Sequence, residues 1–322
     1  MAVLNVTPTV CRSWGEITKA FDAFPVPKLS WDAEGEVERE TWIFRGERTK
    51  YRYPLQPSVE READGTRLGW NALEAEMLAE FQKKARMHIS PDHLPQMEDK
   101  LSWLALAQHH GVPTRLLDFT YSPYVGLYFA LRNRTRQEKE RPPEVWAIEQ
   151  AALFQVGVKF SQDADAEVRR AEAKPKPQGV PTRFFNPTYF ATQQDILHME
   201  GEYSTNLLAK GLDPDPIRRG VFNKDGLVLS ALPPVENRRL SSQQGTFLFN
   251  AAESLTFRKS LSKMMRGRNG WYRRFEFVED ALVDAEARLF QMNINDLSLF
   301  PDIEGVAGYV RQKARLLWGE NA

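Results

Sequence analysis

Apolar positions recur at helical spacing in some stretches of the chain and form short compact runs in others. Helical spacing predicts a first helix after Ser13, a long helix over 67–87 and a third over 97–108. Short runs rich in β-branched and aromatic residues predict strands at 41–46, 114–119, 144–148, 226–230, 244–249 and 275–278. Because helices and strands are interspersed without a regular βαβ order, the pattern predicts an α+β fold.

The densest stretch of this kind is 101–131. An apolar helix runs into His109 and His110, a strand-like run follows, and a second helix begins at Ser122-Pro123, a favourable N-cap with proline after it. Polar residues concentrated between three apolar elements are typical of a structural core or of the floor of a site. The histidine pair fits the end of a helix better than a catalytic role, since no cysteine or serine nucleophile motif accompanies it.

The second half of the chain is less regular. Residues 161–182 are charged and rich in alanine and proline, which predicts a mobile insertion, and 183–212 has a mixed pattern that favours helix. The last helix has Asp302 near its start and carries an apolar face. The residues of this face are Ile303, Val306, Val310 and Leu317.

Composition excludes several classes of protein. The chain is 42% hydrophobic, and its 43 lysines and arginines balance 43 aspartates and glutamates, so overall charge indicates no partner. One cysteine excludes a disulfide framework and argues against a structural zinc site, and we expect no metal. The N-terminus lacks a signal-peptide pattern and no long apolar run could span a membrane, so a cytoplasmic protein is expected.

Candidate chemistry can be read from a few side chains. Arg45 ends a predicted buried strand, where a guanidinium needs an anionic ligand or an internal carboxylate, and the spacing favours neither. Arg115 and Asp118 bracket two leucines and predict a buried ion pair. Thr120 and Ser122, at a strand-to-helix junction, could hold a sugar hydroxyl or a phosphate, although Ser122 could equally be a plain N-cap.

A basic segment lies at 258–274 and contains no acidic residue. Cations interleaved with aromatic side chains suit a phosphate backbone with stackable bases, and a solvated surface or a surface for an acidic partner is an equally good interpretation. The residues predicted to bind nucleic acid are Lys259, Lys263, Arg266, Arg268, Trp271 and Arg273.

Several of these stretches together resemble the FRG-domain family. The resemblance is carried by Phe44-Arg45-Gly46, by Leu55-Gln56-Pro57-Ser58 and by the long run from Gln108 to Thr120. It continues through Ser122-Pro123, Leu127 to Ala130, Arg239, Gln243 to Phe247, and Ser298 to Asp302 with Gly305. The corresponding boundaries are an N-terminal helical segment over 1–40, an FRG domain over 41–314 and a tail over 315–322.

The family resemblance implies an ADP-ribosyltransferase-like fold, with short-stranded sheets flanked by helices and helical extensions at both ends. It also implies NAD as substrate. Phe44, Arg45 and Gly46 would bind it together with Thr120, Tyr121 and Ser122. ADP-ribosyltransferases of the Arg–Ser–Glu type carry a glutamate on a late strand, where this chain has Gln243 and Gln244.

The catalytic residues implied in this way are Arg45, Asp118, Ser122, Gln243 and Gln244. A glutamine can hold a ribose hydroxyl but cannot act as a base, so a carboxylate must come from elsewhere. Asp118 is the candidate that lies in a motif, and Glu200, Glu202 and Glu253 are the others.

The predicted function is an NAD-dependent ADP-ribosyltransferase that modifies nucleic acid, with RNA as one candidate, in a toxin or anti-phage role. An antitoxin or chaperone partner is implied by family analogy. Two alternatives stay open: an inert module that binds a nucleotide or a partner protein, and an NAD hydrolase.

Overall fold

A computed structural model gives the fold of the chain. It describes residues 6–25, 42–48, 54–97, 99–134, 142–153, 155–157, 159, 170, 226–231, 238–268 and 270–319. The described elements, in chain order, are β1 (Thr9–Cys11), α1 (Trp14–Asp22), β2 (Trp42–Glu47), α2 (Ser58–Ala63), α3 (Trp70–Ala85), a short 3₁₀ helix (Pro91–His93), α4 (Lys100–His109), β3 (Leu117–Thr120), α5 (Pro123–Leu131), β4 (Glu144–Glu149), β5 (Val228–Ala231), α6 (Arg238–Ser242), β6 (Gly245–Asn250), α7 (Phe257–Met264), β7 (Tyr272–Phe277), α8 (Glu279–Gln291), α9 (Asp296–Leu299) and α10 (Ile303–Trp318).

Within the described residues, seven strands form one sheet in the order β1-β7-β4-β2-β3-β6-β5. Neighbouring strands are antiparallel except for β1 and β7, which run parallel at one edge. The longest central register joins β2 to β4, from Trp42 opposite Glu149 to Glu47 opposite Glu144. The predicted mixture of helices and short strands is therefore confirmed.

Helices cover both faces of the sheet. On one face Ile43, Ile148 and Phe249 pack with residues of α3, α4 and α7. On the other face Phe44 and Phe275 pack with residues of α1, α5 and α8. Because alternate residues of a strand point to opposite faces, β2 carries apolar side chains on both sides, and this explains its continuous apolar run.

The predicted helix starts are confirmed at two caps. The Ser13 hydroxyl accepts from the backbone N–H of Glu16, and the Ser122 hydroxyl accepts from that of Val125. The pattern missed β1, α2, α6, α7 and α9. The predictions for 161–182 and 183–212 fall outside the described residues, apart from Arg170. No helix in the described ranges has the length and apolar character needed to cross a membrane.

The last helix is oriented differently from what its apolar face would suggest. Gly305, Gly308 and Gln312 are its buried residues, while the apolar face is exposed. A Cβ at Gly308 would lie 2.5 Å from the Asp296 carboxyl carbon, so the absence of a side chain lets α10 approach α9 closely. Small residues, not large apolar ones, therefore determine which side of α10 is buried.

Gly46 shows a similar close approach at the centre of the sheet. A Cβ there would lie 2.0 Å from the Gly126 carbonyl oxygen and 2.4 Å from the Ala130 nitrogen, both in α5. We expect Gly46→Ala to lower the free energy of unfolding by more than about 2 kcal/mol, because backbone must move. Gly65→Ala, where a Cβ meets no atom within 4 Å, is the matched control. Urea unfolding measures both, and equal stabilities would contradict the close packing.

Glu60 joins α2 to α7 from a buried position. Its Oε1 accepts from the backbone N–H of Phe257 at 2.6 Å, and burial raises the pKa of Glu60 to about 7. Since the folded state binds this proton more tightly than the unfolded chain, stability falls as pH rises towards that value and is constant above it.

A glutamine at this position would not titrate. From about pH 5 to about pH 8, we expect the wild type to lose up to about 3 kcal/mol of unfolding free energy relative to Glu60→Gln. Glu62→Gln, at an exposed position of the same helix, should follow the wild-type pH profile. Parallel profiles for the wild type and Glu60→Gln would contradict the assignment.

Candidate functional site

A cleft opens where the central strands β2 and β3 separate. Their register is one residue pair long, Phe44 opposite Thr120. Beyond that pair, the Nη1 of Arg45 donates to the backbone carbonyl of Asp118 at 2.8 Å. A strand carbonyl is thus satisfied by a guanidinium in place of a backbone N–H, so the two strands can diverge without leaving it unpaired.

The Arg45 side chain is held from its other end by Glu47. Arg45 Nε donates to Glu47 Oε1 at 2.7 Å, and the same oxygen accepts from the backbone N–H of Leu55 at 3.3 Å. Glu47 is buried, which strengthens its interaction with the guanidinium. The sequence allowed either an anionic ligand or an internal carboxylate as the partner of Arg45, and the structure shows the carboxylate of Glu47. Arg45 also lines the cleft.

Asp118 is the exposed carboxylate of the cleft. Its side chain is 61% exposed, and its Oδ2 lies 3.9 Å from Arg45 Nη1. Both carboxylate oxygens accept from Gln108 Nε2 at 2.9 Å, and Gln108 Oε1 accepts from the Thr114 hydroxyl. The Ser58 hydroxyl then donates to the Thr114 carbonyl at 3.2 Å. This chain of bonds fixes the orientation of Asp118.

The predicted ion pair between Arg115 and Asp118 is wrong. Arg115 is buried with Glu74, whose Oε1 accepts from the Arg115 backbone N–H at 2.7 Å and whose Oε2 accepts from its Nε at 2.5 Å. Residues three apart on an extended segment point to opposite sides. Arg115 therefore turns into the core, and Asp118 turns into the cleft.

The cleft has a volume of about 360 Å³, within the range of small-molecule sites. Its lining is strongly basic, with five arginines against the carboxylates of Glu47 and Asp118. The arginines are Arg45, Arg48, Arg61, Arg132 and Arg239. An excess of guanidinium groups around a concave site favours an anionic ligand, and planar guanidinium groups suit phosphate.

Two of these arginines stack on Phe300. The guanidinium carbons of Arg132 and Arg239 lie 4.1 Å and 4.6 Å from the centre of its ring. Arg132 also pairs with Asp296 at 2.6 Å. Within the described residues, the Arg239 guanidinium has no carboxylate partner. Arg239 is therefore held in place by an aromatic ring while its charge stays available to a ligand.

His109 lies at the edge of the same cleft, at the end of α4. Partial burial lowers its pKa, and the nearby His110 and Arg239 lower it further. The imidazole is therefore neutral near pH 7 and adds a polar surface to the cleft without adding charge.

The structure brings six of the predicted site residues to this cleft. They are Phe44, Arg45, Gly46, Asp118, Thr120 and Gln243. The Gln243 carbonyl accepts from the Thr120 hydroxyl at 2.7 Å, and its side-chain amide donates to the Leu299 carbonyl at 3.0 Å. Gln243 thus connects β3 to the segment that carries Phe300.

Tyr121, Ser122 and Gln244 are not among the lining residues. Ser122 caps α5, Tyr121 accepts a hydrogen bond from Gln150 through its hydroxyl, and Gln244 accepts from the Tyr121 backbone N–H at 3.0 Å. Gln244 also has a positive φ of 47°, as expected of a turn residue. These contacts hold the C-terminal end of β3, which lies next to the cleft.

Sequence reasoning missed several lining residues. Arg132 lies at the C-terminal end of α5, where a cation is common, and Arg239 and Phe300 belong to stretches that carry the family resemblance. Arg48 and Arg61 carry no local signal, because their proximity to the cleft depends on how β2 and α2 pack.

The residues of the predicted basic segment have different surroundings. Lys259, Lys263 and Arg266 are exposed on and just after α7. Arg268 lies 5.1 Å above the Trp271 ring, and Arg273 packs 4.9 Å and 4.8 Å from the rings of Phe24 and Trp42. None of these residues lines the cleft. Nucleic-acid binding by this segment stays a prediction.

The elements that build the floor of the cleft, from β2 to α5, are close together in sequence. Residues 40–139 match the FRG domain. This part of the chain is therefore an FRG domain. The match includes Arg45, Gln108 and Asp118, whereas Arg239, Gln243 and Phe300 lie beyond it, so the FRG domain supplies part of the cleft and the later segments complete it. No curated protein and no solved structure matches the chain.

Arg239 gives a direct test of the anion site. We expect Arg239→Ala to weaken the binding of inorganic pyrophosphate by at least about 10-fold, because a charged hydrogen bond is lost. Arg238→Ala, at the exposed neighbouring position, is the matched control. Isothermal titration at low salt measures both, and equal affinities in the two variants would remove Arg239 from the site.

Proposed function

We propose that this chain is an NAD-dependent ADP-ribosyltransferase and that the cleft between β2 and β3 binds NAD. The observation that carries the proposal is the position of Asp118, an exposed carboxylate 3.9 Å from the anchored Arg45 in a cleft lined by arginines. This arrangement offers a site for phosphate and a carboxylate for the ribose in the same small volume.

The charge of the cleft suits the pyrophosphate of NAD. Arg45 is oriented by Glu47 and the Asp118 carbonyl, and Arg239 by Phe300, so neither needs to be ordered when a ligand binds. Preorganised guanidinium groups reduce the entropic cost of binding. We assign the pyrophosphate to these two arginines.

Asp118 would act on the ribose attached to nicotinamide. When the bond from C1′ to the nicotinamide nitrogen breaks, the bonding electron pair leaves with nicotinamide and positive charge develops on the ribose. A carboxylate beside the ribose stabilises this oxocarbenium-like state. The acceptor then forms a bond to C1′, and its proton passes to Asp118 or to solvent.

This assignment gives Gln243 a supporting role. Its side-chain amide is used on the Leu299 carbonyl and its backbone carbonyl on Thr120, so it positions the segment that leads to Phe300. Among the other acids, Glu253 is not a lining residue of the cleft, and Glu200 and Glu202 fall outside the described residues. Asp118 therefore replaces the late-strand glutamate in the proposed chemistry.

We propose nucleic acid as the acceptor, with RNA as one candidate. Lys259, Lys263 and Arg266 offer exposed cations for a phosphate backbone. A toxin or anti-phage role, and restraint by an antitoxin or chaperone, are proposed from the family resemblance.

The test incubates the full chain with NAD labelled in its adenylate and with RNA, DNA or protein. We expect label to be transferred to a macromolecule and nicotinamide to be released in equal amount. Nicotinamide release without transfer would contradict the transferase and identify an NAD hydrolase. NAD binding without turnover would overturn catalysis, and the absence of both binding and transfer would overturn the whole proposal.

Within this proposal, Asp118→Asn should lower the transfer rate by at least about 100-fold, since the amide keeps the shape but loses the charge. Glu253→Gln removes a carboxylate outside the cleft and should leave the rate unchanged. Arg45→Ala should also abolish transfer, and circular dichroism checks that the sheet is retained. An Asp118→Asn variant with the wild-type rate would remove Asp118 from the reaction.

A further inference from the structure

Helix α10 presents an apolar stripe to solvent. Ile303, Val306, Val310 and Leu317 are 75%, 42%, 59% and 61% exposed. The opposite side of the helix packs through Gly305 and Gly308, so the stripe does not contribute to the core of its own chain. A continuous exposed apolar surface of this kind marks an interaction site more often than ordinary surface.

The spacing of the stripe suits another helix. Steps of three, four and seven residues place Ile303, Val306, Val310 and Leu317 along one seam, as in helices that pair through a heptad pattern. Ala307 and Ala314 lie next to the seam and are small enough for close approach. α10 is 16 residues long, which at about 1.5 Å per residue gives a seam long enough for a short helix pair.

The charges of α10 are separated along its length. Asp302 and Glu304 lie at its N-terminus, and Arg311 and Lys313 lie in its second half. Since successive residues turn by about 100°, Asp302 and Lys313 fall on one flank of the stripe, and Glu304 and Arg311 fall on the other. Each flank thus carries an acid at one end and a base at the other.

We propose that α10 is a homodimer interface, in which a second copy of this chain packs its own α10 antiparallel on the stripe. A two-fold axis perpendicular to the helices brings the same flank of each copy together with its direction reversed. Asp302 then faces Lys313 of the second copy, and Glu304 faces Arg311. Each pairing places the two-fold axis between Ala307 and Gly308. One antiparallel register of the two helices therefore forms the charge pairs on both flanks.

The same register brings the apolar residues together. Val306 and Val310 lie on either side of the axis and meet Val310 and Val306 of the second copy. A parallel pair would instead bring opposite flanks together and place Glu304 beside Asp302 of the second copy and Arg311 beside Lys313, which is unfavourable. Because one helix pair buries little area, we expect a dissociation constant in the micromolar range, on the order of 1–100 µM.

Sedimentation of the full chain between about 1 and 100 µM tests the proposal. We expect the wild type to shift from monomer to dimer over this range. Val310→Glu should remain monomeric because it places two like charges next to the axis. Glu304→Arg and Arg311→Glu should each weaken the dimer by at least about 10-fold, since each creates like-charge pairs at both ends.

Combining the two charge reversals in one chain should restore the dimer. A chain that carries both Glu304→Arg and Arg311→Glu regains opposite charges across the interface and should dimerise like the wild type. Glu76→Arg, on the exposed surface of α3, is the charge-matched control and should not change the dimer.

Each other outcome overturns the proposal. A wild type that stays monomeric throughout would mean that the stripe has another occupant. A dimer that survives Val310→Glu would use another surface, and failure of the double variant to recover would exclude the antiparallel register. Circular dichroism shows that each variant is folded.

Discussion

The guanidinium of Arg45 allows the centre of the sheet to open. It donates to the Asp118 carbonyl on the neighbouring strand and to the Glu47 carboxylate on its own strand, so β2 and β3 can separate while the Asp118 carbonyl keeps a hydrogen-bond partner. Each residue of the Phe44-Arg45-Gly46 tripeptide then has a physical role. Phe44 packs against Phe24 at 4.8 Å between ring centres, Arg45 holds the strands, and Gly46 admits the backbone of α5.

The floor of the cleft is supported by a second set of polar contacts. Gln108 holds both oxygens of Asp118, Thr114 holds Gln108, and Ser58 binds the Thr114 carbonyl. Beneath them Arg115 is paired with Glu74 and satisfied by it. Such a network fixes side-chain orientation before a ligand arrives, as a preorganised site requires.

Local signals predicted local features. The caps at Ser13 and Ser122, the apolar strand β2 and the position of Arg45 at its end all follow from short patterns. The partner of Arg115 and the position of Arg239 could not be predicted from short patterns, because Glu74 and Phe300 come from distant parts of the chain. The apolar face of α10 is a further example of a feature that a local pattern does not decide. Periodicity revealed the face, but the glycines on the opposite side decided that it points to solvent.

We propose that a phosphate-bearing nucleotide binds between β2 and β3. The most direct measurement is a crystal structure of the full chain grown with ADP-ribose. The pyrophosphate should lie within hydrogen-bonding distance of Arg45 or Arg239, with C1′ of the terminal ribose beside Asp118. ADP-ribose bound at a different surface, with the cleft left without it, would contradict the account.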